Sequence, residues 1–170
     1  MKIAAMLVAA SAAFAAAVLP ASANNKTIAE IVAGDPNFST LLTVATEAGF
    51  ADELGEVYGL TVFAPTNAAF AKIPTDTLNA LLADKEALRA VLLYHILPAR
   101  VLASQVPTKP RLAETLNGCE RLKVDRTPNG RVFVDEVRVQ QADIKAKNGV
   151  VHVIDSVLLP ARGCPGITAE

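Results

Sequence analysis

In the stretch Glu120-Arg121-Leu122-Lys123-Val124-Asp125, Leu122 and Val124 alternate with charged neighbours. After Pro128-Asn129-Gly130, the run Arg131-Val132-Phe133-Val134-Asp135 places Val132 and Val134 in the same rhythm. A period of two sends one set of side chains into a core and the other into water, as in a half-buried strand. Pro128-Asn129-Gly130 between the runs is a turn signal, so the pair reads as a hairpin. The rhythm extends both ways: strands are expected at Leu112–Leu116, Glu120–Asp125, Arg131–Asp135, Val137–Gln140 and Val150–Asp155. Asn117-Gly118 and Asn148-Gly149 are read as further turns, which makes the C-terminal half an antiparallel sheet.

Upstream of Arg100 the period is helical. Thr27-Ile28-Ala29-Glu30 has capping-box spacing, and the turn it starts stops at Gly34. Asp35-Pro36 restarts a helix, Asp as N-cap and Pro where its missing N–H costs nothing. Phe38, Leu41, Leu42, Ala45 and Ala48 then form one apolar stripe up to Gly49, with a short piece Phe50–Leu54 beneath. Leu60–Ala64 is a short β-rich run ended by Pro65, and Thr66 or Asn67 can cap the following helix Asn67–Lys72. Further helices open near Thr75 and at Asp84, the second ending around Tyr94-His95-Ile96-Leu97-Pro98. Helices first and hairpins after define an α+β domain.

The 170 residues begin with a stretch ill suited to a core. Met1–Ala23 holds one charge, Lys2, and ends Ala21-Ser22-Ala23, the pattern of a secretory signal peptide cut after Ala23. The residues that follow suit one domain, 24–160, with a tail 161–170. Cys119 and Cys164 are the two cysteines, an even pair that fits one bridge in an oxidising compartment. That bridge would tie down the tail and close a loop of about 46 residues, for which chain entropy predicts roughly 4 kcal/mol. No second hydrophobic segment follows, so no transmembrane segment is expected after cleavage.

A net charge of −1, no Trp and no basic block argue against nucleic acid as partner. The few Phe and Tyr make no stacking platform for bases or sugars. His95 and His152 lie in apolar contexts, with none of the spacings of a metal site. His152, Asp155 and Ser156 carry the residue types of a hydrolase triad, but a strand sends His152 and Asp155 to opposite faces. A G-x-S-x-G elbow is missing, as is a glycine-rich phosphate loop. Asp52/Glu53 and Asp135/Glu136 fall at element boundaries or on wet faces. No nucleophile, base and oxyanion site come together, so neither an enzyme nor a cofactor is expected.

Three segments identify a family. Thr61-Val62-Phe63-Ala64-Pro65-Thr66-Asn67-Ala68-Ala69-Phe70 resembles the first signature of the fasciclin (FAS1) domain, and Tyr94-His95-Ile96-Leu97 resembles its central Tyr-His motif. The run from Asn148-Gly149 through His152 and Asp155 to Pro160 resembles its second signature. The resemblance covers about Thr27–Pro160 and implies a β-wedge flanked by helices, an extracellular setting and adhesion. Our reading of the residues makes Thr61, Phe63, Pro65, Thr66, Asn67, Asn148, Gly149, His152 and Asp155 mostly folding instructions. Tyr94 and His95 are expected to satisfy buried polar groups while their rings fill core. Animal members use the Tyr-His segment and an Asp-Ile pair for integrin binding, so Tyr94, His95, Asp143 and Ile144 are the binding candidates the resemblance implies. A solvent-facing Asp143 and a core Ile144 explain that pair equally well.

The expected function is a secreted or periplasmic, non-enzymatic module that engages an unknown surface or matrix protein. The alternative is a carrier of a small apolar ligand such as a pigment or lipid, seated between the helices and the wedge.

Overall fold

The computed structural model describes residues 25–160, apart from the side chain of Glu53. The expected leader and Cys164 lie outside the described residues. Thr27 and Glu30 form the capping box: Thr27 Oγ1 accepts from Glu30 N–H at 3.2 Å and Glu30 Oε2 from Thr27 N–H at 2.7 Å. This starts α1 (Ile28–Gly34). Asp35 caps as expected, but Pro36–Phe38 is a 3₁₀ turn, and the α-helix α2 begins afterwards at Ser39–Glu47. The short helix α3 follows at Glu53–Glu56, with Phe50 and Leu54 buried beneath it. Next come α4 (Asn67–Ala71), α5 (Thr75–Ala83) and α6 (Lys85–Tyr94). Asp84 caps α6 by accepting from Glu86 and Ala87 N–H at 3.0 Å each.

The strands are β1 (Leu60–Pro65), β2 (Ile96–Leu97), β3 (Arg111–Glu114), β4 (Arg121–Arg126), β5 (Val132–Val134), β6 (Val137–Lys145) and β7 (Gly149–Ile154). Their order is β2-β1-β7-β6-β5-β4-β3, and every pairing is antiparallel but one. β1 and β7 run parallel from Leu60↔Gly149 to Pro65↔Ile154, so the sheet is mainly antiparallel, as expected, with one parallel pair that the sequence pattern did not announce. Local alternation carries no information on how strands ninety residues apart will pair. The long crossover through helices and hairpins permits the parallel arrangement.

Two apolar cores explain why β1 and β7 read as continuous apolar runs. Val62, Ala64, Val151 and Val153 face the helices and join Ile28, Phe38, Leu41 and Leu92. Phe63 and Ile154 face the wedge and join Leu122, Val134, Tyr94 and Leu158. Both faces of these strands are covered, so neither can carry a wet period. β4, at the outer side of the wedge, keeps its alternation because one of its faces meets water.

Candidate functional site

The signature residues converge where the two cores meet, around the β1–β7 pair. Thr61 is fully buried; its hydroxyl donates to Ala99 C=O at 2.6 Å and accepts from Val101 N–H at 2.8 Å. It thereby ties β1 to the chain leaving β2. Phe63 stacks on the His152 ring, centroids 5.6 Å apart. Pro65 ends β1, and Thr66 caps α4 by accepting from Ala69 N–H at 3.3 Å. Asn67 faces the other way. Its Oδ1 accepts from Thr40 N–H at 3.0 Å and its Nδ2 donates to Pro36 C=O at 2.9 Å, so it caps α2 from a distance. The break after the 3₁₀ turn is the consequence.

Asn148 sits in the tight β6–β7 turn, as expected, which Ala146 N–H closes by donating to Gly149 C=O at 2.9 Å. Gly149 already belongs to β7 and its φ is not left-handed, so it follows the turn and supplies no turn conformation, which corrects the expectation for Gly149 alone. The buried Asn148 amide accepts from Ile28 N–H at 2.9 Å and donates to Leu54 C=O at 2.6 Å and Val57 C=O at 3.1 Å. One side chain therefore holds α1, α3 and the approach to β1. Gly149 is required for space: a Cβ there would sit 2.2 Å from Leu60 O and 2.9 Å from Ile28 Cδ1.

The two histidines are buried and each ring is fully engaged. His95 Nδ1 lies 2.7 Å from Val91 C=O, and Leu158 N–H donates to His95 Nε2 at 2.9 Å. A carbonyl can only accept and an N–H can only donate, so His95 is neutral with its proton on Nδ1. His152 is the opposite tautomer: Asp143 N–H donates to Nδ1 at 3.1 Å, and Nε2 faces Val101 C=O at 2.9 Å. Burial pushes His95 down to about 4, against the pull of the Val91 carbonyl. Burial also lowers His152, opposed by the Val101 carbonyl and the Asp143 carboxylate.

Tyr94 is buried, and its hydroxyl donates to Asp135 Oδ2 at 2.5 Å. Burial first and this carboxylate second raise the phenol well above its ordinary range. Asp135 was read as a boundary or wet-face group, yet it is half-buried and central. It and Glu136 form the β5–β6 connection with φ of 47° and 68°, conformations favoured by glycine or asparagine. Its Oδ1 also accepts from Lys123 N–H at 3.0 Å, so this carboxylate ties α6 and β4 to the β5–β6 turn. A two-residue gap between apolar runs was the sequence signal for a tight turn there; the acidic pair concealed it. Beside Tyr94 and Asp135 opens a hollow of about 700 Å³, lined also by Leu112, Lys123, Glu136 and Leu159.

Asp143 and Ile144 are both half-buried. The Asp143 carboxylate accepts from Ala103 N–H at 2.7 Å with φ of 60°, and Ile144 packs on the helix-side core. Asp143 is thus turned into the fold, not out to solvent. Asp155 lies 3.8 Å from Lys72 Nζ and accepts from Ser156 Oγ at 3.4 Å. Since His152 has both nitrogens engaged elsewhere, His152, Asp155 and Ser156 do not assemble into a triad. Among the described residues no His, Cys, Asp and Glu cluster could hold a metal ion, and no helix is long and apolar enough to cross a membrane. Of the expected cysteine pair, Cys119 lies before β4 and Cys164 is outside the described residues.

Every buried polar side-chain atom among the described residues has a partner. The class this defines is a stapled α+β scaffold whose signature side chains bind its own backbone. The chain belongs to the fasciclin family: the Fasciclin domain model matches residues 36–160. Protein sll1483 of Synechocystis is 38% identical, over 79% of this chain and 73% of that protein. The pig transforming growth factor-beta-induced protein ig-h3 is 36% identical over 82% of this chain, which spans 20% of its length. The Mycobacterium bovis cell surface glycolipoprotein MPB83 is 29% identical over 78% of this chain and 60% of its own. A solved FAS1 domain pair from the insect cell adhesion molecule Fasciclin I shares the fold at a TM-score of 0.66 and 19% identity, covering 79% of this chain and 51% of that one.

Proposed function

We propose that this protein is an exported, non-enzymatic interaction module acting at a cell surface, in the periplasm or in a matrix. One observation carries the reading: the buried polar side chains of the family signatures, Thr61, Tyr94, His95, Asn148 and His152, are all engaged within the fold, four of them by backbone groups and Tyr94 by Asp135. These bonds support a scaffolding role for the signatures and favour the outer surface as the place where a partner is met. Tyr94, His95, Asp143 and Ile144 then act on a partner indirectly, by holding the shape of the surface above them. The names of the MPB83 and Fasciclin I relatives, cell surface and cell adhesion, support the setting. The Cys119–Cys164 bridge belongs to the same proposal, as the tie that holds the tail to the β-wedge in an oxidising compartment.

The test is attachment. A deletion strain should lose surface attachment or biofilm, and the wild-type gene should restore it while a Ser156→Ala gene restores it equally. Unchanged attachment in the deletion strain would contradict the reading. The carrier alternative meets a packed interior: the apolar hollow under α5, between Phe70, Leu78, Leu81, Leu88 and Leu92, measures about 20 Å³. That is room for about one water, so a pigment or lipid would have to lift α5 first. Protein from its native host carrying an extractable apolar ligand would favour that alternative.

A further inference from the structure

β6 is longer than the strand it faces. Val139 pairs with Ile154 and Lys145 with Val150, so β6 fits two extra residues into the same span as two bulges. The bulge around Asp143 has an evident role, since Asp143 meets His152 and Ala103. The other bulge inserts Gln140 between Val139 and Gln141 and does nothing of this kind. Instead it brings Gln140 and Gln141 to the wall of one cavity, where an unbroken strand would send neighbours to opposite faces. Among the described residues neither glutamine amide has a protein partner.

The facing wall is the turn before α2. Asp35 Oδ1 accepts from both the N–H and the Nδ2 of Asn37 at 2.9 Å, and Asp35 and Asn37 both line the cavity. Phe38 and Val153 supply an apolar floor. The volume is about 450 Å³, within the range of roughly 300–1,000 Å³ typical of small-molecule sites. Amides both donate and accept, a carboxylate accepts, and no described lining residue is cationic. Asp35 repels an anion, while hydroxyl groups match every one of these side chains. An extended peptide has no edge to join here, because β6 lies between β7 and β5.

We propose that the cleft between Asp35-Asn37 and Gln140-Gln141 is a binding site for a neutral saccharide, recognised by hydrogen bonds and not by aromatic stacking. The inference rests on the interaction-module reading and names the chemistry of one partner.

The test screens the full mature protein against an array of neutral, uronic-acid and sulfated oligosaccharides, then titrates the best neutral binder by amide chemical shifts. Saturable binding should perturb Asn37, Gln140 and Gln141. Gln140→Ala and Gln141→Ala should each weaken it about fivefold, the effect of one hydrogen bond, with melting temperature unchanged because both side chains are exposed. No neutral binder, a preference for anionic glycans, or equal affinity in the double variant would overturn the site. If attachment is present and the double variant keeps it in full, the saccharide site falls while the interaction reading stands. If the wild type attaches to nothing, the interaction reading itself fails.

Discussion

Replacing Asn148 by Ala probes the stapling most sharply. The substitution removes three hydrogen bonds at once and strands two kinds of group: the N–H of Ile28, a fully buried residue, and the carbonyls of Leu54 and Val57. An unsatisfied buried donor or acceptor costs about 1–3 kcal/mol. The Val57 residue is 45% exposed, so water can repair that carbonyl. Two groups remain orphaned, and the expected loss is about 3–5 kcal/mol, or roughly 10–20 °C in melting temperature for a domain this size. Asn148→Asp separates the two halves of the amide. It keeps the acceptor for Ile28 but sets a carboxylate against the Leu54 carbonyl, 2.6 Å from the Nδ2 it replaces. Burial next to carbonyls raises that carboxyl, so the folded state binds the proton more tightly than the unfolded chain. Asn148→Asp should therefore be crippled at pH 7 and regain stability relative to Asn148→Ala as the pH falls. Equilibrium urea unfolding of the mature protein with three variants (wild type, Ala, Asp) reads both effects. A loss below about 1 kcal/mol in Asn148→Ala, or an Asp variant that tracks the Ala variant at every pH, would refute the reasoning.

Three further outcomes follow from the same geometry. Gly149→Ala should cost about 2–3 kcal/mol, the upper end for overpacking, because the added Cβ meets the Leu60 backbone oxygen at 2.2 Å; a melting temperature like the wild type would count against it. Acid should destabilise the fold through His95, which is held at about 4 against an ordinary 6.5. The unfolded chain binds a proton that the folded chain refuses, so this contribution is complete above pH 6.5 and disappears as the pH falls toward 4. It amounts to about 3 kcal/mol, with His152 adding in the same direction, and His95→Gln should flatten that slope in urea titrations at pH 4–7. Thiol titration of the denatured, unreduced mature protein should find about zero free thiols per chain if Cys119 and Cys164 are bridged as proposed; two thiols would end that proposal.

Local chemistry was legible wherever a residue acts on its own neighbours. Thr27 with Glu30, Asp35 and Asp84 cap where their spacing says, and Gly118 and Gly130 take the left-handed turns their dipeptides announce. The burial of His95, His152 and Tyr94 followed from their apolar surroundings. Residues that act across the fold were not legible. Asn148 was legible as a turn residue but not as a staple, because the partners of its side chain, Ile28 and Leu54, are remote in sequence. Asn67 looks like a cap for its own helix and serves α2 instead. β6 was expected to end at Gln140 and runs to Lys145, because two bulges break the alternation from which a strand is read. The hollow that those bulges help to form was invisible for the same reason. Asp135 escaped notice because its value lies in a bond to Tyr94, forty-one positions away.

The central claim is that the signature side chains serve the fold, with each histidine ring locked between a backbone donor and a backbone acceptor. Imidazole ¹⁵N correlation spectra of the folded protein at pH 7, followed through pH 6.5, test this directly. They should show two neutral rings of opposite tautomer, the proton on Nδ1 in His95 and on Nε2 in His152, neither titrating near 6.5. A ring that becomes cationic near pH 6.5, or two rings of the same tautomer, would contradict the account.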